Sequence, residues 1–181
     1  MVRCEVGEDG VAEPIGDQIP TVVLERRRGV CAGFAGLMKT MADCVRVPCR
    51  LVGGYGKESI HAVEGLHPSH AWNTLLVDGV WVPVDCTWAA GRTDETGLFR
   101  RHFDPFWWLT PPERFVHTHL PSLAGDATHL TGMLRCKLPS LQEFSEGLGL
   151  RGEFFAANLI VLDPNLTVRR VPPSLLPYMD V

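Results

Sequence analysis

The dipeptide Asp78-Gly79, between two β-prone runs, constrains the fold of this chain more than any other short segment. Asp-Gly flanked by apolar and β-branched residues is a strong signal for a β-hairpin with a type I′ turn. A two-residue loop pairs Val77 with Val80, and the register of 70–77 against 80–87 then follows by counting. The sequence therefore predicts not only two antiparallel strands but also which of their side chains meet.

This register divides the hairpin side chains between two faces, because paired residues share a face and faces alternate along a strand. His70 would face Thr87, and Asp85 would face Trp72. His70 and Asp85 become diagonal neighbours, about 7–8 Å apart at the backbone and within reach of each other through their side chains. A three-residue loop would put them on opposite faces. The first face holds His70, Trp72, Thr74, Leu76, Trp81, Pro83, Asp85 and Thr87. The second, which we expect to be buried, holds Ala71, Asn73, Leu75, Val77, Val80, Val82, Val84 and Cys86.

Apolar residues recur with helical spacing along the chain from Val30 to Val45, and Cys31 lies at the beginning of this run. This apolar stripe indicates an amphipathic helix that Gly29 allows to begin sharply and that Pro48 ends. Cys31 would lie in or near the first turn, where backbone N–H groups and the helix dipole favour a thiolate and could hold an oxyanion. The alternative is a small core residue, since free cysteine is among the most buried residue types. The stripe consists of Val30, Phe34, Leu37, Met38, Met41, Ala42 and Val45.

Composition places the chain among ordinary globular proteins, with 181 residues, 45% hydrophobic and 21% charged. This length suffices for one domain with a substantial core. The net charge of −4 gives no electrostatic case for nucleic acid. We expect no membrane span and no signal peptide, because no apolar stretch is long enough and the chain begins with polar residues.

Cysteine and histidine spacings favour reduced thiols and no metal. None of the six cysteines shows a CxxC spacing, and in an intracellular chain they are expected to be reduced thiols. The weaker alternative is a secreted disulfide framework. His117, His119 and His129 lack supporting cysteine or carboxylate ligands, and no acidic loop resembles a calcium site. The sequence therefore predicts neither a metal nor a cofactor.

In the rest of the chain, the sequence patterns that predict secondary structure are weaker. Residues 1–20 are expected to be loosely ordered, and no helix is predicted upstream of Cys31. Thr110-Pro111-Pro112-Glu113 fits a capping box that opens a short helix through Phe115. The other predicted elements are a strand over 49–55, an aromatic strand over 103–109, a helix over 141–150, a strand from Phe154 to Leu162, a possible strand over 165–168, and loops over 56–69 and 120–138.

Several motifs together resemble the transglutaminase-like core. They are Gly29–Ala35, Gly54–Lys57, His70-Ala71-Trp72-Asn73, Asp78–Trp81 and Val84–Gly91. The chain is similar in particular to the kyphoscoliosis peptidase branch, which continues with segments that resemble Trp108–Phe115, His119-Leu120-Pro121, Leu138–Phe144 and Glu153-Phe154-Phe155. The resemblance covers roughly residues 18–165.

This resemblance implies an α+β fold of the papain-like, transglutaminase-like type, in which a central helix carries the cysteine and an antiparallel sheet carries the histidine and aspartate. It implies a catalytic triad of Cys31, His70 and Asp85, and we expect Trp72 and Trp88 to bind substrate. It also implies protein substrates, cytoskeletal partners and a cytoplasmic, cytoskeleton-associated location. The expected organisation is a loosely ordered segment over 1–20, the core over 21–135, and over 136–181 the beginning of an incomplete β-rich region.

Three functions share these residues. A Cys31 thiolate that attacks an amide carbonyl would give a thioester, with His70 as the base and Asp85 fixing its tautomer. If water then cleaves this thioester, the protein is a peptidase. If a lysine amine cleaves it, the protein is a transglutaminase. The absence of a tryptophan before Cys31, a residue that animal transglutaminases use at the oxyanion, and of calcium-like loops favours hydrolysis. The remaining hypothesis is a non-catalytic cytoskeletal adaptor, which the short segment before Cys31 favours and the presence of all three triad residues opposes.

Overall fold

The computed structural model describes residues 17–57, 67–94, 96, 99–122, 138–157, 159–161 and 168–170. Most of the predicted N-terminal segment, most of the loops predicted over 56–69 and 120–138, and His129 lie outside these residues. The described helices are α1 Pro20–Arg26, α2 Cys31–Cys44, α3 Cys86–Ala90, α4 Pro112–Phe115, α5 Leu141–Glu146 and α6 Gly152–Ala156. The described strands are β1 Cys49–Gly56, β2 His70–Val77, β3 Val80–Val84, β4 Gly91–Thr93, β5 Phe99–Arg101, β6 His119–Pro121, β7 Leu159–Val161 and β8 Val168–Arg170.

The central element is an antiparallel sheet with the strand order β3-β2-β1-β6. The β2–β3 hairpin has the predicted register, with Val77 opposite Val80 and Thr74 opposite Pro83. Asp78 and Gly79 both have positive φ, 49° and 79°, as a type I′ turn requires. Because β3 is an edge strand of this sheet, Pro83 is tolerated although it has no N–H to donate.

The hairpin ends earlier than the sequence predicts. β3 stops at Val84, and the side chain of Asp85 caps the short helix α3 by accepting the backbone N–H groups of Thr87 and Trp88. The predicted pairings of His70 with Thr87 and of Trp72 with Asp85 are therefore wrong, since the ladder ends at Asn73 opposite Val84. The capping carboxylate satisfies N–H groups at the start of the helix, and this turns the chain out of the ladder.

Helix α2 begins at Cys31 and ends before Pro48, as predicted, but the predicted apolar stripe is only partly its buried side. Met41 is 49% exposed, and Val45, just beyond the helix, is 70% exposed. The buried positions are instead the small residues Gly33, Ala35 and Ala42. Their small size allows the helix to pack closely on its neighbours. A search for periodically spaced large apolar residues does not detect such a buried side.

A helix that the sequence did not predict, α1, precedes α2 and packs against it. Its buried side chain is Val23, which lies beside Gly33 of α2. Pro20 occupies its first turn, where a proline loses no helical hydrogen bond. The helix is short and its apolar positions are few, so its periodicity is weak.

Two apolar clusters cover the two faces of the sheet. One contains Val52, Trp72, Ala89, Trp107 and Phe115. The other contains Ala42, Cys49, Leu75 and Val84, with Met38 of α2 packed against it. The second predicted hairpin face is buried at Leu75 and Val84, but Val80 on the same face is 41% exposed, because it lies beside the turn. The first face is also buried, at Trp72 and Thr74. His70 lies at the end of the strand between these layers and is therefore only partly covered.

Three other predictions are corrected. The aromatic segment 103–109 forms a 3₁₀ turn over Pro105–Trp107, because Asp104 accepts the Phe106 N–H and a proline follows it. Helix α4 begins after Pro111 without a side-chain cap, and the Thr110 hydroxyl donates instead to the Phe106 carbonyl oxygen. Phe154, predicted to begin a strand, lies within helix α6, and the strand begins only at Leu159.

Lys57 joins the segment that contains α5 to the core. Its side chain is completely buried, and its Nζ donates to the carbonyl oxygens of Phe144 and Gly147, the latter over 2.6 Å. Burial lowers the pKa of Lys57. Helix α5 itself starts with a capping box between Ser140 and Glu143 and ends at Glu146, earlier than predicted. In the described part of the chain, no helix has the length and apolarity needed to cross a bilayer.

Candidate active site

Cys31 is the first residue of α2 and faces the start of β2. The chain enters this helix through Val30, whose backbone N–H donates to Gln18 Oε1 over 2.9 Å. The Cys31 Sγ lies 3.9 Å from the Ser69 carbonyl oxygen, and the sulfur also interacts with the His70 ring and with the backbone N–H groups of Ala32 and Ala71. The thiol is thus surrounded by donors at a helix N-terminus, where negative charge is favoured.

His70, the first residue of β2, lies between Cys31 and Asp85. Its Nε2 is 2.7 Å from Asp85 Oδ2, and its side chain is 9% exposed. Because Nε2 is directed at the carboxylate, Nδ1 is the ring nitrogen left to exchange a proton with the Cys31 thiol. The ring is therefore held in the tautomer that a base for a neighbouring thiol needs.

Asp85 has no exposed surface, and both of its oxygens are engaged. Oδ1 accepts the backbone N–H groups of Thr87 over 2.8 Å and Trp88 over 3.0 Å. Oδ2 accepts from His70 and from a second histidine, His119 of β6, whose Nε2 lies 2.9 Å away. A buried carboxylate with four such partners remains ionised, since each hydrogen bond stabilises the charged form.

The local electrostatics favour a thiolate–imidazolium pair. Burial raises the pKa of Cys31, but hydrogen bonding and charge from His70 outweigh burial, so the pKa lies below its ordinary value. Burial likewise opposes the charged form of His70, but Asp85 and Cys31 raise the pKa of the ring to about 9. Burial raises the pKa of Asp85, whereas the two histidines lower it more, and the pKa lies well below its usual range.

Other described cysteines do not share this environment. Burial raises the pKa of Cys49. Burial, and the charges of Asp85 and Cys49, raise the pKa of Cys86 to about 12. Cys31 alone among these three has a pKa that is lowered.

The two tryptophans expected to bind substrate occupy different places. Trp72 is 2% exposed and belongs to the core cluster, so its ring packs in the interior, beneath the site. Trp88 is partly exposed and lies against His70, with ring centroids 5.0 Å apart. The Arg151 guanidinium lies over the Trp88 ring at 5.2 Å. Trp88 is thus the tryptophan beside the reactive groups that a ligand could contact.

Three potential metal-ligating atoms, one each from His70, Asp85 and His119, lie within 4.8 Å of one another. Their proximity follows from two hydrogen bonds to a single carboxylate oxygen. In this arrangement both Nε2 atoms carry protons and both donate to Asp85, so neither presents a lone pair to a cation.

The structure brings Cys31, His70 and Asp85 together, which the hairpin register and the helix prediction had suggested separately. Sequence reasoning missed the contribution of His119, which it considered only as a weak metal ligand. The useful signal was the similarity of His119-Leu120-Pro121 to a segment that follows the core in the kyphoscoliosis peptidase branch. β6 pairs with β1 and thereby carries His119 to Asp85.

This combination of a cysteine-bearing helix and an antiparallel sheet carrying histidine and aspartate defines a transglutaminase-like domain. The model of the transglutaminase-like superfamily matches residues 3–86 of the chain. The chain is 29% identical to human (Homo sapiens) kyphoscoliosis peptidase over 156 residues, which cover 83% of this chain and 22% of the relative. The Mus musculus kyphoscoliosis peptidase gives the same identity and coverage. The Lim and transglutaminase domain protein ltd-1 of Caenorhabditis elegans is 26% identical over 146 residues, 72% of this chain and 19% of the relative.

These comparisons confirm the resemblance and the fold class predicted from the sequence. The matched region spans about a fifth of the length of these curated relatives, with 22% covered in the two kyphoscoliosis peptidases.

Proposed function

We propose that the protein catalyses cysteine-dependent acyl transfer on protein amide bonds and that water is the usual acceptor, which makes it a peptidase. The observation that carries this proposal is the continuous contact from the Cys31 thiol through the His70 ring to Asp85, with 2.7 Å between the ring Nε2 and the carboxylate. A thiolate, a base and an orienting carboxylate are the parts that this chemistry requires.

In the first half of the reaction, the Cys31 sulfur attacks the amide carbonyl carbon and forms a tetrahedral intermediate. Backbone N–H groups in the first turn of α2 are suited to stabilise its oxyanion. His70, which holds the former thiol proton on Nδ1, gives that proton to the leaving amine, and the C–N bond breaks. The product is a thioester on Cys31 and a free amine.

In the second half, neutral His70 accepts a proton through Nδ1 from the incoming nucleophile. Asp85 continues to accept the Nε2 proton and so preserves the tautomer throughout. With water as the nucleophile the thioester is hydrolysed to an acid. With a lysine amine it becomes an isopeptide bond, and the triad alone permits both outcomes.

Hydrolysis is favoured because two of the similar curated proteins are named peptidases. Transamidation is the second candidate, since the matching family model and the Caenorhabditis elegans relative carry the transglutaminase name. As part of the same proposal, the substrates and partners are cytoskeletal proteins in the cytoplasm. This part rests on the resemblance alone.

The experiment is incubation of the 181-residue chain, and of Cys31→Ala as the matched control, with a peptide library and a fluorescent primary alkylamine. Mass spectrometry detects new peptide termini, which report hydrolysis, and amine attached to glutamine, which reports transamidation. We expect new termini with the unmodified chain and none with the control. Amine incorporation without new termini would make the protein a transglutaminase, and neither product would favour the non-catalytic adaptor.

A further inference from the structure

His119 is a buried imidazole attached directly to the carboxylate of the proposed triad. It has 1% of its surface exposed, and its Nε2 lies 2.9 Å from Asp85 Oδ2, the same oxygen that His70 contacts. It comes from β6, far along the chain from the His70 hairpin. The two rings lie 5.2 Å apart between centroids, on either side of one oxygen atom.

The protonation of the His119 ring depends on where the Thr118 hydroxyl donates its single proton, and the shorter of its two contacts is the one to His119 Nδ1. Thr118 Oγ1 lies 2.9 Å from His119 Nδ1 and 3.2 Å from the Phe115 carbonyl oxygen, but a hydroxyl has one proton to donate. The Phe115 oxygen already accepts the backbone N–H of Thr118 over 3.1 Å. A hydroxyl that donates to Nδ1 therefore leaves a neutral ring whose Nε2–H donates to Asp85. Burial, which outweighs the attraction of Asp85, agrees with this arrangement because it lowers the pKa of His119 to about 4.

Aromatic rings close the space around His119. Phe115 stacks on it with a centroid distance of 3.9 Å and an interplanar angle of 20°. Trp88 lies at 4.5 Å and Trp72 at 5.0 Å, the latter edge-on. Because these rings and the burial leave little room for solvent, water would not readily replace the Nε2–H donor if it were removed.

We propose that His119 is a positioning residue, which holds Asp85 Oδ2 towards His70 and thereby keeps the His70 ring aligned with Cys31. The inference rests on the proposed function, in which His70 acts on the Cys31 thiol. Oδ1 is fixed by two backbone N–H groups, so Oδ2 is the oxygen whose direction depends on side chains alone. Loss of the donor from His119 would leave one partner on that oxygen and a buried lone pair unsatisfied.

Two substitutions separate hydrogen bonding from packing. His119→Gln places an amide N–H near the position of Nε2 but removes the ring. His119→Phe keeps a ring against Phe115 but removes the donor. The readout is the pH profile of Cys31 alkylation by iodoacetamide, followed residue by residue by mass spectrometry, because alkylation reports the thiolate fraction without requiring a substrate.

We expect the alkylation rate of Cys31 at pH 6 to fall about tenfold in His119→Phe, the change that one pKa unit of the thiol produces. His119→Gln should retain more than half of the rate. If packing were the role, the order would reverse, with His119→Phe resembling the unmodified chain. That reversal, or unchanged profiles in both variants, would overturn the proposal.

A measurement on the unmodified chain covers the case in which both variants fail to fold. Long-range ¹H–¹⁵N spectra distinguish the ring tautomers, and we expect His119 to be neutral with its proton on Nε2 between pH 6 and 8. A proton on Nδ1 would overturn the proposal. If instead Cys31 of the unmodified chain shows no alkylation advantage over the exposed Cys44, the proposed function fails, whatever the tautomer of His119.

Discussion

The side-chain amide of Asn73, on β2, donates over 3.0 Å to the carbonyl oxygen of Ala35, in the interior of α2. The same Nδ2 lies 3.4 Å from the Arg50 carbonyl oxygen and 3.5 Å from Cys49 Sγ. Asn73 is completely buried, so this contact joins the strand that carries the histidine to the helix that carries the cysteine. The relative position of those two elements determines whether the thiol and the ring can meet.

Replacing Asn73 by leucine should therefore affect both stability and activity. We expect a loss of about 1–3 kcal/mol in the free energy of unfolding, the usual result of removing a buried hydrogen-bond partner. Activity should fall at least tenfold, because small displacements of a reacting group are costly. Urea denaturation and peptide cleavage measure the two effects.

Thr74→Val is the matched control for this prediction. Thr74 is the next residue on β2 and equally buried, but among the described residues nothing accepts from or donates to its hydroxyl. Removing a hydroxyl without a partner should leave stability unchanged or slightly raised, and activity intact. Equal losses of stability and activity in both variants would show that any substitution at a buried position of β2 is damaging. The Asn73 hydrogen bond would then make no specific contribution.

Local signals explain why part of the site could be predicted from the sequence. The Asp78-Gly79 turn determines the register of β2 and β3, and the position of Cys31 at the start of α2 follows from helical periodicity. The end of the hairpin at Asp85 depends on a competition between strand pairing and helix capping, which pattern alone does not decide.

The contributions from distant parts of the chain could not be predicted in this way. His119 reaches Asp85 only because β6 pairs with β1, a contact between segments far apart in sequence. The buried side of α2 consists of small residues, which carry little periodic signal. In both cases tertiary packing decides the outcome, and local propensity is a weak guide to it.

The carboxylate of Asp85 contacts the His70 ring and caps helix α3, and a single substitution can separate these two roles. In Asp85→Asn the remaining oxygen can still accept the N–H groups of Thr87 and Trp88 and cap α3. The new NH₂ group, however, meets the Nε2–H groups of His70 and His119, which are also donors. We expect His70 to adopt the wrong tautomer and cleavage to fall by about 10²–10⁴-fold, the scale found when a triad aspartate becomes an amide.

Asp85→Ala is the comparison, because it also removes the cap. It should lose about 1 kcal/mol or more of stability beyond any loss in Asp85→Asn. Thermal unfolding and cleavage rates of both variants are the measurements. If Asp85→Asn keeps full activity while Cys31→Ala abolishes it, the protein works as a cysteine–histidine dyad and Asp85 is structural.

Two glycines of α2 offer a test of how closely α1 is packed. A Cβ added at Gly33 would lie 2.3 Å from Gln18 Oε1 and 2.9 Å from a methyl carbon of Val23. At Gly36 the nearest atom would be a Pro20 ring carbon at 3.6 Å, an ordinary contact. Gly33→Ala should therefore displace the Gln18 side chain from the Val30 N–H and destabilise the fold by about 1–3 kcal/mol, the range for overpacking.

Gly36→Ala should instead stabilise the protein by up to about 1 kcal/mol, since alanine is the better helix former. Denaturant unfolding of the two variants gives the comparison. Equal stabilisation by both would mean that α1 and Gln18 move aside without cost, and that the contact before Cys31 does not help to hold the nucleophile.

The neutral state of His119 predicts that acid weakens the fold before the carboxylates titrate. Its folded pKa, about 4, is below the ordinary histidine value of 6.5, because burial opposes the charged form. The unfolded chain therefore binds a proton that the folded chain does not bind between those values. The stabilisation is complete above about pH 6.5 and is lost as the pH falls towards 4, on the order of 1 kcal/mol per pH unit. His70, with a raised pKa, acts in the opposite sense and loses its contribution as the pH rises through about 9.

His119→Phe removes the acid-side titration and should flatten this dependence, whatever its stability at neutral pH. The control is His102→Gln, which changes an exposed histidine and keeps the buried His119 ring. Urea unfolding at closely spaced pH values measures the slope directly. If His119→Phe and the unmodified chain lose stability in parallel over this window, His119 is already charged in the folded protein, and Nδ1 rather than the Thr118 hydroxyl supplies the proton between them.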